Sequence, residues 1–382
     1  MTKEGVSMPW KAVSVMSLRK EFVRLAEVNM ISFSELCRRF NISRKTGYKW
    51  LNRYRQEGEV GLGDRSRRPH RIARRISASM EQEILKLRKG RYWGARKIRK
   101  RLQVLGRGAV PAASTITTVL HRHGMIDPDA PEGRKNWQRF ERSAPNDLWQ
   151  TDFKAPVKTL GGDLQPLTVL DDHSRYSLCV RALENQQTVP VQNAFTEMFR
   201  LYGLPNAMLM DNGTPWGGAE RRPFTVFSVW LIRLGIQVIH SRPNHPQTLG
   251  KDERFHRTLE RELISRQQWR DRVHLQTALN KWREQYNFDR PHDSLDLEVP
   301  ASRYQPSLRP FPEQLPPIEY PDAFHVRKVQ DDGSISFRGQ VFKVGKAFHR
   351  YPVGLRPTQI DGTFEVMFCH QRIATIDLNA NS

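Results

Sequence analysis

Residues 148–183 read LWQTDFKAPVKTLGGDLQPLTVLDDHSRYSLCVRAL. Three runs in this stretch, 148–157, 164–171 and 176–183, have strand composition and strand length. The turn signals Gly161-Gly162-Asp163 and Asp172-His173-Ser174-Arg175 separate them. The pattern then changes. It predicts a helix over 187–202, a short strand over 207–210, a helix over 223–234 and a strand over 237–240. Two long helices follow, over 250–267 and 271–287. Three strands followed by alternating helices and strands predict a mixed sheet covered by helices, an α/β core spanning residues 137–305.

Three acids stand out in that core. Asp152 lies inside the first strand, where Asp is disfavoured unless something uses it. Asp211 ends the strand over 207–210 and opens Asp211-Asn212-Gly213, and Glu253 falls in the first turn of the helix that begins at 250. Singly, each has an ordinary explanation: a strand-end cap, a generic turn, a favourable helix dipole. Together they suit phosphodiester chemistry. That reaction must align a water or a 3′-hydroxyl with a phosphate and offset the charge that develops. Two divalent cations roughly 3.5–4 Å apart do both, and hard cations such as Mg²⁺ take oxygen ligands. Phe255, Leu259 and Leu263, four apart, predict the buried stripe of the helix. Glu253, His256, Arg257 and Glu260 then share the other side, with His256 and Arg257 near DNA phosphates. Asp252, at the end of the buried stripe, is expected to cap the helix rather than bind metal. Asp171 and Asp172 read as turn residues, Asn212 as an orienter of Asp211 or a left-handed turn residue. Trp149 reads as packing, and Trp216, in a predicted loop, as a candidate DNA contact.

The charge of the chain points the same way. Its formal net charge is +22 and its pI about 10.3. Residues 1–136 hold 31 Lys/Arg against 12 Asp/Glu, whereas the remaining 246 residues hold 31 against 28. The excess therefore belongs to the N-terminal third, as expected for a nucleic-acid-binding region joined to an effector. Residues 1–60 predict three helices. Leu18, Phe22, Leu25 and Ala26 pattern the first, Leu36 and Phe40 the second, and Tyr48, Leu51 and Tyr54 the third, capped by Ser43. Helix, tight turn and basic helix form a helix-turn-helix, with Arg44, Lys45, Lys49 and Arg53 free for phosphates or base edges. A basic linker over 61–76 carries Arg67, Arg68 and Arg71, placed to track a groove. Residues 77–136 predict a second helix-turn-helix-like domain, with Ser77 and Ser114 as N-caps.

Residues 306–319, with five prolines between 306 and 317, read as a linker, and 320–382 as a small all-β barrel. Expected strands there are 325–329, 334–337, 341–344 and 364–368. The three cysteines, Cys37, Cys179 and Cys369, lie far apart, which excludes a disulfide scaffold and suits a reducing cytoplasm. No run of 18 apolar residues and no signal-peptide core is present.

The segments WQTDF (149–153), LDDHSRY (170–176), MDNGTPW (210–216), NHPQTLGKDERFHRTL (244–259) and YNFDRPHDSL (286–295), in this order, resemble bacterial insertion-sequence transposases of the retroviral-integrase superfamily. The resemblance covers roughly residues 17–305. It implies a ribonuclease H-like core whose metal triad is Asp152, Asp211 and Glu253. It further implies two Mg²⁺ (or Mn²⁺) ions, helix-turn-helix recognition of terminal inverted repeats, target DNA as second substrate, and a homo-oligomer that pairs two ends. The expected location is the bacterial cytoplasm, at the nucleoid and not a membrane. Two departures stand out. Asp252 occupies a place where many members carry an apolar residue, and the interval from Asp211 to Glu253 is longer than in the shorter members. His121 and His123 have no cysteine partners, so no zinc is expected. The rival readings are a DNA-binding regulator with an inactive core, a metal-dependent nuclease without strand transfer and, disfavoured by the helix-turn-helix modules, an RNA-processing nuclease.

Overall fold

The computed structural model describes residues 14–65, 76–126, 141–217, 223–241 and 250–379. The chain divides into two compact units, residues 1–75 and 76–382. Arg67, Arg68 and Arg71 lie outside the described residues.

The first unit is built from α1 (Val15–Val28), α2 (Phe33–Arg39) and α3 (Arg44–Glu57). A serine caps each helix: Ser14, Ser32 and Ser43 accept from the backbone N–H of Ser17, Glu35 and Thr46. Phe22, Val23, Leu36, Cys37, Trp50, Leu51 and Leu62 form the core. A Cβ on Gly47 would stand 2.7 Å from the Cys37 Sγ and 2.9 Å from the Phe22 ring, so only glycine lets α3 cross so closely. This shifts the expected face of α3. Trp50 is buried beside Leu51, while Tyr48 is half-exposed and stacks on Phe33 with ring centroids 4.2 Å apart.

The second unit opens with α4 (Ala78–Arg91), α5 (Ala95–Val104) and α6 (Ala113–Arg122), packed around Ile84, Trp93, Ile98, Leu102, Ile116, Val119 and Leu120. Ser77 caps α4 as expected. Ser114 does not cap α6; Ala112 holds the cap position, and Ser114 lies inside the first turn.

The central sheet contains β1 (Trp149–Phe153), β2 (Val157–Thr159), β3 (Gly162–Asp171), β4 (Ser177–Leu183), β5 (Ala207–Met210) and β6 (Gln237–His240). The expected first strand is divided in two around Pro156, since proline cannot donate to a ladder. β1 and β4 flank β3 antiparallel, and β5 and β6 extend the sheet parallel to β1. This is the ribonuclease H-like order. The helices α7 (Thr188–Tyr202), α8 (Val226–Arg233), α9 (Gly250–Glu262) and α10 (Arg272–Phe288) complete the core. Val191, Phe195 and Phe199 of α7 pack with Trp149, Met208 and Met210 of the sheet, and Phe255 and Leu259 of α9 pack with Leu170, Val180 and Trp282.

The segment after the core runs along it rather than away from it. Arg309 donates to the carbonyls of Pro205, Leu234 and Gly235, and Glu313 pairs with Arg200 at 2.6 Å. The C-terminal region contains β7 (His325–Lys328), β8 (Ser334–Phe337), β9 (Gln340–Lys343), β10 (Pro352–Pro357), β11 (Thr363–Phe368) and β12 (Gln371–Asp377). The expected barrel is not formed. Four strands make one open sheet, β12-β11-β10-β7, and β8 and β9 make a separate hairpin. Closure is not needed to bury the apolar face: Val353, Leu355, Phe364, Val366 and Phe368 share one core cluster with the central domain. The Gln371 amide also bonds both the N–H and the carbonyl of Val238, at 2.9 and 3.1 Å, covering the edge strand β6.

Candidate active site

The sheet register brings two of the three acids to one edge. Trp149 pairs with Met208 and Gln150 with Leu209 along the parallel β1–β5 ladder. Continued by two residues, this register sets Asp152 beside Asp211, on strands about 4.8 Å apart. Asp152 is half-buried; its Oδ1 accepts from its neighbour Phe153 N–H at 2.7 Å. Burial first, then the negative charges of Asp211 and Glu253, push the Asp152 carboxyl up to about 6. The field of both other acids is thus felt at Asp152. Burial also raises Asp211, and its Oδ1 is enclosed without a hydrogen-bond partner among the described residues. Glu253, on the first turn of α9, is exposed. Among the described residues no three His, Cys, Asp or Glu side chains are already drawn together at metal-ligand distance. The buried, unpartnered Asp211 oxygen and the mutual repulsion of the acids are nevertheless what a cation would relieve.

The surroundings differ from expectation in several places. His256 does not stand out toward phosphates as a cation. It is largely enclosed, its pKa lowered to about 4 by burial and by Lys154, so the ring is neutral. Its Nε2 lies 2.8 Å from the Thr168 hydroxyl, and its Nδ1 3.9 Å from Asp152 Oδ2. Arg257 is exposed on the outer side of α9, as expected. Asp252 is fully buried, and neither of its carboxylate oxygens has a hydrogen-bond partner among the described residues. The expected cap is therefore not made to any described residue: the side chain is buried, and burial raises its carboxyl well above the usual range.

Trp216 is likewise not a DNA contact. It is 1% exposed and packs against Phe153, Phe195 and Phe227. Trp149 is packing, stacked 6.0 Å from Phe199. Asn212 neither bonds Asp211 nor adopts a left-handed turn; it donates to the Ser241 carbonyl at 2.9 Å and ties the ends of β5 and β6 together. Asp171 is a turn residue, accepting from the Ser174 N–H and hydroxyl and from the Asn146 N–H. Asp172 does more. It accepts from the Arg142 N–H at 2.8 Å and Gln150 Nε2 at 2.6 Å, and it pairs with Lys251 on the first turn of α9. That contact anchors the turn that carries Glu253.

Two contributors were not anticipated. Thr168 pairs with Asp152 across the β1–β3 ladder and donates its hydroxyl proton to the Asp152 carbonyl at 3.0 Å. His240, last residue of β6, donates from Nδ1 to the Asp211 carbonyl at 3.2 Å. The equal lengths of the runs 207–210 and 237–240 were the available signal, since in-register pairing sets His240 beside Met210.

In the first unit Arg44, Lys45 and Lys49 are exposed along α3, and Arg53 is half-buried. Lys49 and Arg53 lean on the Trp50 ring, 4.4 and 5.2 Å from its centroid. His123 and Arg122 both pair with Glu81 at 2.6 Å.

Comparison with known proteins agrees with this architecture. Residues 142–246 and 234–300 match families described as integrase core domains, and residues 324–382 match the IS481 family transposase C-terminal domain. Residues 18–70 match a helix-turn-helix domain and 46–120 a homeodomain-like domain. A 31.7 kDa protein of insertion element IS407 from Burkholderia multivorans is 23% identical over 158 residues, 41% of this chain and 55% of the relative. A 39.2 kDa protein of insertion element IS476 from Xanthomonas euvesicatoria is 26% identical over 159 residues, 42% and 44% respectively. The chain thus spans about half the length of these two relatives. The transposase of insertion sequence IS904 from Lactococcus lactis is 24% identical over 253 residues, 61% of this chain and 96% of the relative. Among solved structures, a simian T-cell lymphotropic virus intasome in complex with a PP2A regulatory subunit is 16% identical over 76% of this chain and 99% of that chain, with a TM-score of 0.37. The HTLV-2 integrase catalytic core domain in complex with magnesium is 18% identical over 43% and 99%, with a TM-score of 0.33. No helix among the described residues is long and apolar enough to cross a membrane.

Proposed function

We propose that this chain, which belongs to the bacterial insertion-sequence transposases built on an integrase core, cuts and joins DNA at Asp152, Asp211 and Glu253. The observation that carries the reading is the placement of Asp152 and Asp211 side by side on β1 and β5, with Glu253 close enough to raise the Asp152 carboxyl. When bound, two divalent cations, Mg²⁺ or Mn²⁺, would offset charge on the phosphate and lower the pKa of a bound water. The three carboxylates would hold the cations with oxygen ligands. Arg257, exposed on the same helix as Glu253, meets the phosphate backbone. Asp172 and Lys251 fix the first turn of α9, so that Glu253 is presented from a braced helix.

In the first step a water oxygen bonds to the phosphorus at an element end, and the bond from phosphorus to the 3′-oxygen breaks, leaving a 3′-hydroxyl. In the second, that hydroxyl attacks a target phosphate and displaces another 3′-oxygen. The exposed cations of α3 hold the terminal repeats in double-stranded form, and copies of the chain pair two ends.

A strand-transfer assay with a labelled element-end duplex and Mg²⁺ tests this, comparing the wild type with Glu253→Gln. The wild type is expected to nick and join, and the variant to bind without reacting. Binding without reaction by the wild type, across many candidate ends and with Mn²⁺ too, would make the protein a DNA-binding regulator. Nicking without joining would make it a nuclease. A variant as active as the wild type would move the third carboxylate to Asp252.

A further inference from the structure

The Thr168 hydroxyl has one proton and two neighbours to satisfy: the Asp152 carbonyl at 3.0 Å and His256 Nε2 at 2.8 Å. The carbonyl only accepts. Both bonds are made together only if the hydroxyl proton goes to the carbonyl and Nε2–H donates to the hydroxyl oxygen. That fixes the tautomer of His256, and the lone pair is then on Nδ1. Nδ1 faces the Asp152 carboxylate, 3.9 Å from Oδ2. The separation is too long for a hydrogen bond. A neutral imidazole whose opposite N–H is held by an oxygen, leaving a lone pair free toward a carboxylate, is the state in which histidine ligates a metal.

We propose that His256 Nδ1 is a nitrogen donor to the divalent cation held at Asp152, with Thr168 as the residue that orients the ring. The inference rests on the metal reading of the carboxylates given above. It adds selectivity to that reading. Imidazole suits transition metals, whereas Mg²⁺ is served by oxygen, so the site favours Mn²⁺ beyond what three carboxylates give.

The test uses the full chain with Mn²⁺ as probe and pulsed electron paramagnetic resonance in frozen solution. The wild type is expected to show ¹⁴N coupling to the bound Mn²⁺. His256→Asn is expected to lose that coupling and to bind Mn²⁺ more weakly by at least the roughly tenfold that follows removal of a ligand-orienting residue, with Mg²⁺ affinity changed far less. Thr168→Val, which removes the acceptor for Nε2–H, weakens the coupling, and Thr168→Ser restores it. Circular dichroism and melting of each variant confirm that it is folded. Mn²⁺ bound in an Asp152-dependent manner without ¹⁴N coupling overturns the role of His256 and leaves the carboxylate reading standing. Mn²⁺ binding that is absent, or indifferent to Asp152→Asn, overturns both.

Discussion

Replacing Asp252 by Leu should make the protein more stable. Asp252 has no exposed surface, and neither carboxylate oxygen has a hydrogen-bond partner among the described residues. Burial first, then Asp152 and Asp172, oppose its ionisation, and Lys251 partly offsets them. A polar group enclosed without partners costs about 1–3 kcal/mol by mutational measures. Leucine has the same branched outline with methyl groups in place of the oxygens, at a fully buried position close to the buried Tyr286. The exchange gains a few tenths of a kcal/mol in helix propensity. It gives up roughly 0.3–1 kcal/mol of favourable dipole interaction in the first turn of α9. The net expectation is a gain of about 1–2 kcal/mol, which at roughly 2–4 °C per kcal/mol raises the melting temperature by several degrees. Calorimetry without divalent metal measures it, and Mn²⁺ binding is read on the same samples. An unchanged or lower melting temperature would refute the reasoning, because the carboxylate would then have a favourable partner. Loss of Mn²⁺ binding in a stabilised variant would instead make Asp252 a ligand.

Three further outcomes follow from other groups. Arg290 and Glu262 form an ion pair at 3.0 Å with both side chains almost wholly buried, so Arg290→Met, which strands the Glu262 charge, should cost about 3–5 kcal/mol in a thermal melt. His292 is enclosed, hydrogen-bonded through Nε2 to the Tyr286 hydroxyl at 2.8 Å, and held well below the usual histidine range by burial and by Arg290, Lys97, Arg175 and Arg254. Its folded pKa being depressed, its contribution is fully present above about pH 6.5 and is lost as pH falls, by up to about 2 kcal/mol at pH 5; His292→Gln should flatten the fall in melting temperature between pH 7.5 and 5.0, and an equally steep fall would contradict the assignment. Arg44→Ala and Lys49→Ala should each lower the slope of log affinity against log salt by about 1 for element-end DNA, if these exposed side chains contact phosphates.

Much of the α/β core could be read from local pattern, because its strands are short apolar runs with turn residues at each end. The runs over 207–210 and 237–240 coincide with β5 and β6, and the buried stripe of α9 is Phe255 and Leu259, with Leu263 just beyond its end. What failed depended on tertiary neighbours. Trp216 sits in a loop by sequence, and nothing local announces that Phe153, Phe195 and Phe227 close over it. β10 opens at Pro352 and contains Gly354, and β12 carries Arg372, Ala374 and Thr375, so neither looks like a strand alone. Helical spacing placed Asp252 at the inward stripe but could not say that no donor among the described residues meets it there. His256 was placed near phosphates from its position on the helix, and only the tertiary neighbours Lys154 and Thr168 show the ring enclosed and neutral.

The basic N-terminal third shows the same limit from the side of electrostatics. A net excess of Lys and Arg was read as surface available to DNA, yet much of it in α5 already has a partner within the second unit. Lys97 pairs with Asp293 at 2.9 Å, Lys100 with Glu298 at 2.6 Å, and Arg101 with Asp289 at 2.6 Å. Arg91, at the end of α4, reaches the same Asp289 at 3.1 Å. These acids belong to the segment that follows α10, and Lys97 is 12% exposed, so the pairs are more than loose surface contacts. The charge of this helical domain therefore serves two ends: α5 docks it on the core, and α6 is left with an outer face of Ser114, Thr115, Thr118 and His121. Net charge counts both kinds of cation alike; only the pairing distinguishes a docking surface from one left open to DNA, and by that measure α3 is the candidate, with Arg44, Lys45 and Lys49 exposed along it and in no ion pair among the described residues.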